Sequence, residues 1–304
     1  PQTIATAPLQ GSGRRAPIAR QGTEMLGYRH AFHAGNHADV LKHVVLLQLL
    51  DYLAAKDKPF WYIDTHAGAG RYTLTQGYAA EQREYVDGIE KLWNAGVLPE
   101  ALARYVELVR TLNPHHRLKY YPGSPWLARA RMRPPDRLWL HELHPADYAL
   151  LEQEFAAGPV PTRVFSEDGY AGLKALLPPE PRRALVLIDP SYEVREDYAR
   201  LVEALKQALR RFATGVYMVW YPMIPRRESR ELPARLAALA PERWLRAELV
   251  VRAADAAHGL YGSGVFVVNP PFTLRAALAE SLPRLTMLLG LDRHATFTLE
   301  GSAD

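Results

Sequence analysis

Seven short apolar segments after residue 59 constrain the fold of this chain more than any other feature. Several are apolar at every position, which is typical of strands buried on both faces of a parallel sheet. The predicted strands are residues 60–64, 138–141, 163–166, 185–189, 215–220, 247–251 and 264–269. Helical stretches such as residues 198–212 separate them, but the loop at 253–263 is too short for a crossover helix. We therefore predict an α/β sheet that is mostly parallel and ends in an antiparallel pair.

The connection between the first two predicted strands, residues 72–137, is far longer than a crossover needs. Residues 83–92 and 100–112 within it have helical patterns, so we predict a small helical insertion at about residues 77–125. Without that insertion, the chain matches the Rossmann-like sheet of class I methyltransferases, with seven mostly parallel strands and an antiparallel last strand. The pattern thus predicts a single methyltransferase domain over residues 25–304.

Residues 1–24 differ from the rest of the chain in composition. They mix Pro, Gly, Ser, Thr and Gln with few large apolar side chains, and they contain no continuous apolar run like that of a signal peptide. We predict a flexible leader there. Dense sequence begins at Met25, which is a candidate start site.

A helix is predicted from residue 37 to about residue 55. Asn36 is suited to cap its first turn, and Asp39 lies in that turn, where a carboxylate is favourable. Apolar residues recur at helical spacing from Val40 onward, so one face should pack on the core. The run Lys-Asp-Lys-Pro at 56–59 ends the helix.

Composition excludes several classes of protein. The chain has no cysteine, which rules out disulfides, thiolate metal sites and cysteine nucleophiles and fits a cytoplasmic protein. The net charge of +4 permits a polyanionic partner without requiring one. No apolar stretch reaches the length of a membrane span.

Acidic residues stand at the ends of four consecutive predicted strands. The first strand runs into Asp64 and a turn of small residues at 65–70, and Glu142, Asp168 and Asp189 follow the next three strands. The carboxyl ends of parallel strands meet at one edge of a sheet, where ligands bind in such folds. These acids suit S-adenosylmethionine, whose sulfonium and ammonium groups are cationic. The alternative is that each acid only caps a helix or forms a turn.

The sequence Asp189-Pro190-Ser191-Tyr192 is typical of enzymes that methylate an amino nitrogen. The Asp189 carboxylate and the Pro190 carbonyl can accept the two hydrogens of an exocyclic amine while its lone pair localises, and Tyr192 can stack on the base. The usual motif has proline at the third position, where this chain has Ser191. An ordinary turn is the alternative interpretation.

A second segment, residues 269–272, reads Asn-Pro-Pro-Phe and matches that motif more closely by letter. The catalytic loop should follow the fourth strand, beside the glycine turn, whereas residue 269 ends the seventh. We therefore assign the site to Asp189.

Histidines and arginines form further clusters. Four histidines lie within fourteen residues, but no carboxylates at ligand spacing accompany them, so we expect no metal. Basic runs at 129–137, 210–211 and 226–235 are candidates for phosphate contacts, although such runs are usually only solvated surface. The histidines are His30, His33, His37 and His43.

Several motifs together resemble the RlmJ family of bacterial methyltransferases, which act on an adenine N6 of 23S rRNA. The resemblance runs from about residue 25 to the C-terminus. The motifs are YRHAFHAGNHADVLKH at 28–43, DKPFWYIDTHAGAGRY at 57–72, YYPGSP at 120–125, ELHP at 142–145, EDG at 167–169, RFATGVYMVWYP at 211–222 and NPPF at 269–272. The resemblance implies methylation of the adenine 2030 type, S-adenosylmethionine as cofactor and 23S rRNA as partner. We also expect a monomer.

The resemblance also assigns site residues by motif position. Asp189 would be the catalytic acceptor, with Pro190 and Tyr192 beside it, and Tyr28 would contact the RNA. His43 and Ser124 come from the resemblance alone, and we add Lys42 and Gly68, which lie within these motifs. The complete set of expected cofactor contacts is Lys42, His43, His66, Gly68, Ser124, Glu142, Asp168, Gly169 and Asp189.

Three other functions remain open at this point. A DNA adenine or protein glutamine methyltransferase would share the same loop. A non-catalytic nucleic-acid-binding protein, linked to DNA uptake or catabolism, would need no cofactor. A nicotinamide dehydrogenase is disfavoured because Thr73 replaces the third glycine of the dinucleotide motif.

Overall fold

A computed structural model describes residues 30–240, 242–255 and 259–302. The predicted leader at 1–24 and Tyr28, the expected RNA contact, lie outside the described residues. The strands of the described residues are β1 (Trp61–Asp64), β2 (Arg71–Thr73), β3 (Tyr120–Pro122), β4 (Arg137–His141), β5 (Thr162–Phe165), β6 (Ala184–Ile188), β7 (Val216–Met223), β8 (Trp244–Val250), β9 (Gly262–Val268) and β10 (Thr296–Gly301).

Helices cover both faces of the sheet. Their bounds are α1 (His37–Ala54), α2 (Gly77–Gln82), α3 (Ile89–Trp93), α4 (Glu100–Thr111), α5 (Ser124–Arg131), α6 (Pro145–Phe155), α7 (Gly169–Leu176), α8 (Glu196–Arg211), α9 (Arg227–Leu239) and α10 (Phe272–Leu289). None of these described helices is long and apolar enough to cross a membrane.

Eight strands form one sheet in the order β10-β8-β9-β7-β6-β1-β4-β5. Strands β5, β4, β1, β6 and β7 are parallel, and β9 is antiparallel to both β7 and β8. All seven predicted strands and the antiparallel pairing are confirmed. The prediction of seven strands was nevertheless one too few, because β10 adds an antiparallel edge strand beside β8. Its side chains are mostly exposed or half-buried, so it has no apolar run to indicate a strand.

The direction of β9 puts the two candidate motifs at opposite edges of the sheet. Because β9 runs against β7, its last residue pairs near the start of β7 and lies at the amino edge of the parallel strands. There the side-chain nitrogen of Asn269 donates to the carbonyl oxygens of Ala213 and Gly215, at 2.8 and 2.7 Å. Asn269 therefore stabilises the turn between α8 and β7. Its position at the amino edge agrees with the assignment of the site to Asp189, at the opposite edge.

Helix α1 is buried around nearly its whole circumference. As predicted, the Asn36 side chain caps it by accepting hydrogen bonds from the backbone N–H groups of Ala38 and Asp39. The expectation that only one face packs was wrong, because α4, α5 and α10 enclose the helix against β9. Polar residues on α1, including Asp39, Lys42 and His43, are consequently buried as well.

The predicted insertion lies between β2 and β3. These two strands pair antiparallel in a sheet of their own, and the segment between them contains α2, α3 and α4. Leu102, Tyr105 and Val106 of α4 join the same core as α1. Helix α5, whose first residues fall within the predicted insertion, is instead the helix that leads into β4.

Alternate residues of the central strands face two separate cores. In β6, Leu185 and Leu187 pack with α1, α4 and α10, while Val186 and Ile188 pack with α7, α8 and α9. All five residues of β6 are buried, as expected for a strand covered on both faces. This packing fixes the loop after β6 at the carboxyl edge of the sheet.

Candidate active site

A cavity of about 180 Å³ opens at the carboxyl ends of β1, β4, β5 and β6. The loops after these strands supply most of its lining, and α1 contributes two residues from one side. The predicted site residues that line it are Lys42, His43, His66, Gly68, Ser124, Glu142, Asp168, Gly169, Asp189 and Pro190. Parts of the chain that are far apart in sequence thus converge at one edge of the sheet.

Two glycines bring the backbone close to this cavity. Gly68 has a φ of +62°, and a Cβ atom there would lie 2.3 Å from the Tyr72 hydroxyl oxygen. A Cβ on Gly169 would lie 2.1 Å from the backbone oxygen of Thr65. Neither position has room for a side chain, so the two loops form a narrow cradle of backbone atoms.

Glu142 and Asp168 orient the loops around the cavity. The two oxygens of Glu142 accept the N–H groups of Gly68 and His144, at 2.8 and 2.7 Å, and burial raises the pKa of this carboxyl. Asp168 caps α7 through the N–H of Tyr170 at 2.8 Å. Asp168 therefore caps a helix and Glu142 holds a turn, as the alternative interpretation expects. They also line the cavity, so the two roles coexist.

Asp64, the first of the strand-end acids, lies behind the cavity rather than in its lining. It is fully buried and accepts hydrogen bonds from the hydroxyls of Tyr62 and Ser124, both at 2.7 Å. Burial raises the pKa of Asp64 to about 6. Because the Ser124 hydroxyl donates its hydrogen bond to Asp64, its oxygen is left to accept a hydrogen bond from a ligand in the cavity.

Asp189 is bound to a buried ion-pair chain. The Lys42 Nζ lies 2.6 Å from Asp189 Oδ2 and 2.9 Å from Asp39 Oδ1. Burial favours the neutral amine, but the charges of Asp189 and Asp39 outweigh it and hold the pKa of Lys42 well above its usual value. Asp39 is paired in turn with His30 at 2.9 Å. Lys42 therefore contacts the candidate acceptor directly.

The position of Tyr192 differs from the expectation. Its side chain is 3% exposed, its ring packs 4.7 Å from that of Tyr198, and its hydroxyl donates to the Trp220 carbonyl at 2.6 Å. The residue has a φ of 55°, in the left-handed region, which directs the side chain into the core on the α8 side. In this conformation the ring does not line the cavity and does not present a face to a base.

The histidines have separate partners. His43 is hydrogen bonded to the Tyr121 hydroxyl at 2.8 Å, and His33 contacts Glu84 at 3.0 Å. Burial lowers the pKa of His43 to about 3 and that of His66 to about 4, so both rings are neutral near pH 7. Across residues 30–240, 242–255 and 259–302, no three His, Asp or Glu side chains are grouped to hold a metal ion.

Residues 57–299 match the family described as ribosomal RNA large subunit methyltransferase D, RlmJ. The chain belongs to the RlmJ family. It is 44% identical over 277 residues to "Ribosomal RNA large subunit methyltransferase J" of Haemophilus influenzae, covering 91% of this chain and 98% of that protein. The protein of the same name from Escherichia coli is 46% identical over 261 residues, or 86% of this chain and 93% of its own length.

A crystal structure of a Legionella pneumophila protein has the same fold. It is 35% identical to this chain, superposes with a TM-score of 0.82, and covers 90% of this chain and 99% of its own. Together with the sequence relatives, it supports the same overall fold for this chain. The family resemblance and the Rossmann-like methyltransferase fold are therefore both confirmed.

The sequence patterns did not reveal several residues at or behind the cavity. Asp39, Tyr170 and Arg200 were not predicted as site residues, yet Asp39 holds Lys42 and Arg200 donates to Asp168 Oδ2 at 2.7 Å. Asp39 looked like an ordinary first-turn acid, and Arg200 lies within an amphipathic helix. Asp39 is distinguished by its burial and its ion pairs, and Arg200 by its contact with Asp168.

Proposed function

We propose that this RlmJ-family protein transfers a methyl group from S-adenosylmethionine to N6 of an adenine in 23S rRNA, of the adenine 2030 type. The observation that carries the proposal is the position of Asp189 and Pro190 at the end of β6, in a cavity also lined by Glu142 and Asp168. Their acceptors suit an amine on one side and a cationic cofactor on the other. The protein would act in the cytoplasm, as a monomer.

The cavity has the chemistry that the cofactor requires. When bound, S-adenosylmethionine supplies an electrophilic methyl group on a positively charged sulfur. Glu142 and Asp168 would accept from its hydroxyl and amino groups, with Gly68 and Gly169 providing the close backbone approach. Ser124 presents an acceptor oxygen because its hydroxyl hydrogen is donated to Asp64. His43, Lys42 and His66 would complete this half of the site.

Asp189 and Pro190 would hold the target amine. Lys42 binds Asp189 Oδ2, and within the described residues no donor is bound to the other oxygen, Oδ1. We assign Oδ1 to one amine hydrogen and the Pro190 carbonyl to the other, so that the nitrogen lone pair points at the methyl group. As the new N–C bond forms, the bond between the methyl group and the sulfur would break, and S-adenosylhomocysteine would leave. One N–H proton must also leave the nitrogen, and Asp189 would accept it or relay it to water.

The target adenine would have to leave its stack to reach this cavity, as in other enzymes that modify bases. Tyr28 is proposed to contact the RNA. Tyr192 is given a structural role here: its buried hydroxyl and ring fix the loop that carries Asp189. Stacking by Tyr192 on the base would require the loop to leave the conformation described above.

The test is methyl transfer by an Asp189→Ala variant, with labelled cofactor and a 23S rRNA fragment. We expect a loss of about 10²- to 10⁴-fold in turnover, the range of general acid–base catalysis. Calorimetry should detect cofactor binding in the wild type and in the variant. Glu196→Ala is the matched control, because Glu196 is an exposed acid nearby that does not line the cavity. Undiminished transfer by Asp189→Ala would remove the role assigned to it.

The same assay separates the other substrates. Duplex DNA and a release-factor protein carry the amino groups that related loops methylate, so parallel reactions should give label only in the rRNA fragment. A wild-type protein that binds RNA but neither binds the cofactor nor transfers methyl would instead be a non-catalytic RNA-binding protein.

A further inference from the structure

Sheet topology separates the three basic runs of the sequence. Residues 129–137 lead into β4, and Arg210 and Arg211 end α8 just before β7, so both runs lie toward the amino edge. Residues 226–235 follow β7 and begin at the carboxyl edge, where the cavity opens. Of these three runs, only the last begins beside the loop that carries Asp189.

The first basic run is also largely neutralised within the described structure. Arg129 is paired with Glu154 at 2.8 Å, and Arg133 with Asp136 at 3.3 Å. Arg226 and Arg230 differ, because among the described residues no carboxylate lies within 4 Å of either guanidinium. They are four residues apart at the start of α9, which places them on one side of the helix.

Arg226 contacts the catalytic loop directly. Its Nη1 donates to the backbone carbonyl of Tyr192 at 3.2 Å. A second contact, between Arg195 and Glu228 at 3.7 Å, links the same two loops. Because β6 and β7 are neighbours in the sheet, the loop after β7 is in position to fix the loop after β6.

An aromatic side chain lies on the chain segment beside the loop after β7. Tyr261, which precedes β9, donates its N–H to the Met223 carbonyl at 3.0 Å and is half-buried. Met223 precedes Arg226 by three residues, so Tyr261 lies beside the loop that carries Arg226. Surfaces that combine arginines with aromatic rings are common in proteins that bind single-stranded RNA.

Charge is segregated across the mouth of the cavity. The loops after β4 and β5 carry Glu142 and Asp168, which suit a cationic cofactor. The charge of Glu142 repels phosphate, whereas Asp168 is paired with Arg200 at 2.7 Å. The loop after β7 and the start of α9 carry Arg226 and Arg230, and neither has a carboxylate partner among the described residues. A polyanion with one base in the cavity would therefore be favoured on the β7 side and disfavoured on the β4 and β5 side.

We propose that Arg226 and Arg230 bind the RNA phosphates that flank the target adenine, and that Arg226 is also a positioning residue for the catalytic loop through the Tyr192 carbonyl. This inference rests on the proposed function. It gives the RNA a direction of approach, over the start of α9 and past Tyr261, that the cavity alone does not.

The first test measures binding of a 23S rRNA fragment to an Arg226→Gln/Arg230→Gln double variant at several salt concentrations. Losing two phosphate contacts should weaken binding by roughly tenfold at low salt and reduce the slope of log affinity against log salt by about 1.4 to 1.8. The matched control is Arg210→Gln/Arg211→Gln, which removes the same charge from exposed residues at the amino edge and should leave the slope unchanged.

The second test separates charge from positioning. Arg230→Gln should raise KM for the RNA with little change in kcat, whereas Arg226→Gln should raise KM and also lower kcat by about tenfold, since a displaced catalytic loop loses its alignment. Arg226→Lys should have a KM for the RNA close to that of the wild type, because the positive charge is retained. An unchanged kcat in Arg226→Gln would overturn the positioning role.

The outcomes distinguish this inference from the proposed function. If the wild type methylates the RNA and the Arg226/Arg230 variant binds it with wild-type affinity and salt slope, the arginine surface is wrong and the function stands. If the Arg210→Gln/Arg211→Gln control weakened RNA binding equally, the inference would also be contradicted, because the loss would then follow from the net charge of the protein. If the wild type methylates no RNA, both proposals fail.

Discussion

Lys42 lies between two carboxylates, and this arrangement makes it part of the candidate catalytic group rather than a simple cofactor contact. Its ammonium is almost fully buried and bonded to both Asp39 and Asp189. Removing one member of a buried charge cluster leaves the others uncompensated, which costs more than the cluster contributes when it is intact. The side chain should therefore matter for folding as well as for activity.

We expect Lys42→Met to lower the free energy of unfolding by about 3 kcal/mol, as for other broken buried pairs. Methyl transfer should fall with it, because Asp189 loses the contact that orients it. Urea denaturation measures the first effect and labelled methyl transfer the second. Adding Asp39→Asn should recover part of the stability, because it removes one of the two buried acids that lose the Lys42 ammonium.

The control for this prediction is Lys91→Met. Lys91 pairs with Asp87 on the surface at 3.0 Å, one helical turn away, and such pairs contribute less than about 0.5 kcal/mol. If Lys42→Met were as stable as Lys91→Met, breaking the buried ion pairs of Lys42 would cost no free energy of unfolding, which would contradict the prediction.

At the level of single residues, the sequence predicted the cavity lining well but not the supporting contacts. Glu142, Asp168 and Asp189 were found because each ends a strand, and strand ends are visible as the end of an apolar run. Asp39 and Asp64 support Lys42 and Ser124 from behind. The depth of a side chain is not encoded in local spacing, so their roles could not be predicted.

Among the elements, the helical insertion contacts the start of α1 where the backbone at Gly88 packs directly against the backbone at Gly35 and Asn36. A Cβ on Gly88 would lie 2.0 Å from the backbone oxygen of Gly35 and 2.6 Å from the carbonyl carbon of Asn36. Beside it, the Ile89 N–H donates to the Gly35 oxygen at 2.9 Å. The segment before α1 and the start of α3 can therefore meet only because residue 88 has no side chain.

Gly88→Ala should lower the free energy of unfolding by about 2 kcal/mol or more, because backbone atoms rather than a flexible side chain must move. Gly96→Ala is the control, since a Cβ there meets nothing within 4 Å. It should change stability by less than about 1 kcal/mol, and in the stabilising direction if at all. Denaturant unfolding of both variants checks this, and equal stabilities would contradict it.

The elements that the sequence predicted are those with strong periodic patterns. Buried strands such as β6 and the capped helix α1 were recognised, whereas β10 and the short pair β2 and β3 were not. Strands of three residues carry no measurable period, and β10 is an edge strand with mostly exposed or half-buried side chains. Their pairing is decided by neighbours that are distant in sequence.

Across the whole molecule, four histidines are held in the uncharged form by burial. Burial lowers the pKa of His37, His66 and His141 to about 4, and that of His43 to about 3. The unfolded chain binds a proton at each histidine near pH 6.5, while the folded chain does so only near pH 3 to 4. Acid therefore favours the unfolded state throughout that window.

We expect the free energy of unfolding to fall steadily as the pH drops from 6.5 toward 4. Asp64 acts in the opposite direction, because its folded pKa of about 6 means that the folded state holds its proton more tightly. The raised pKa values of Glu142, Asp197 and His33 act in the same direction as that of Asp64, but the large downward shifts of the four histidines outweigh them. Urea unfolding at a series of pH values measures the slope, and stability that is flat or rising toward pH 4 would contradict the prediction.

His141 offers a specific check on this pH dependence. It is buried, it does not line the cavity, and among the described atoms neither ring nitrogen has a hydrogen-bond partner. Between pH 6.5 and 4.5, the free energy of unfolding of His141→Leu should fall by about 2 kcal/mol less than that of the wild type. One histidine that is protonated only in the unfolded state lowers the stability by at most about 2.7 kcal/mol over two pH units. The folded His141→Leu variant should retain methyl transfer at pH 7.

The amino-acid sequence by itself determined the sheet, its antiparallel end, the capped helix and the strand-end acids, because all of these follow from periodicity and local backbone preference. Tertiary structure alone decided which side of the sheet each polar group occupies. It placed Lys42 on Asp189, turned Tyr192 into the core, and brought Arg226 to the catalytic loop. These outcomes depend on packing between elements far apart in sequence, which no local pattern specifies.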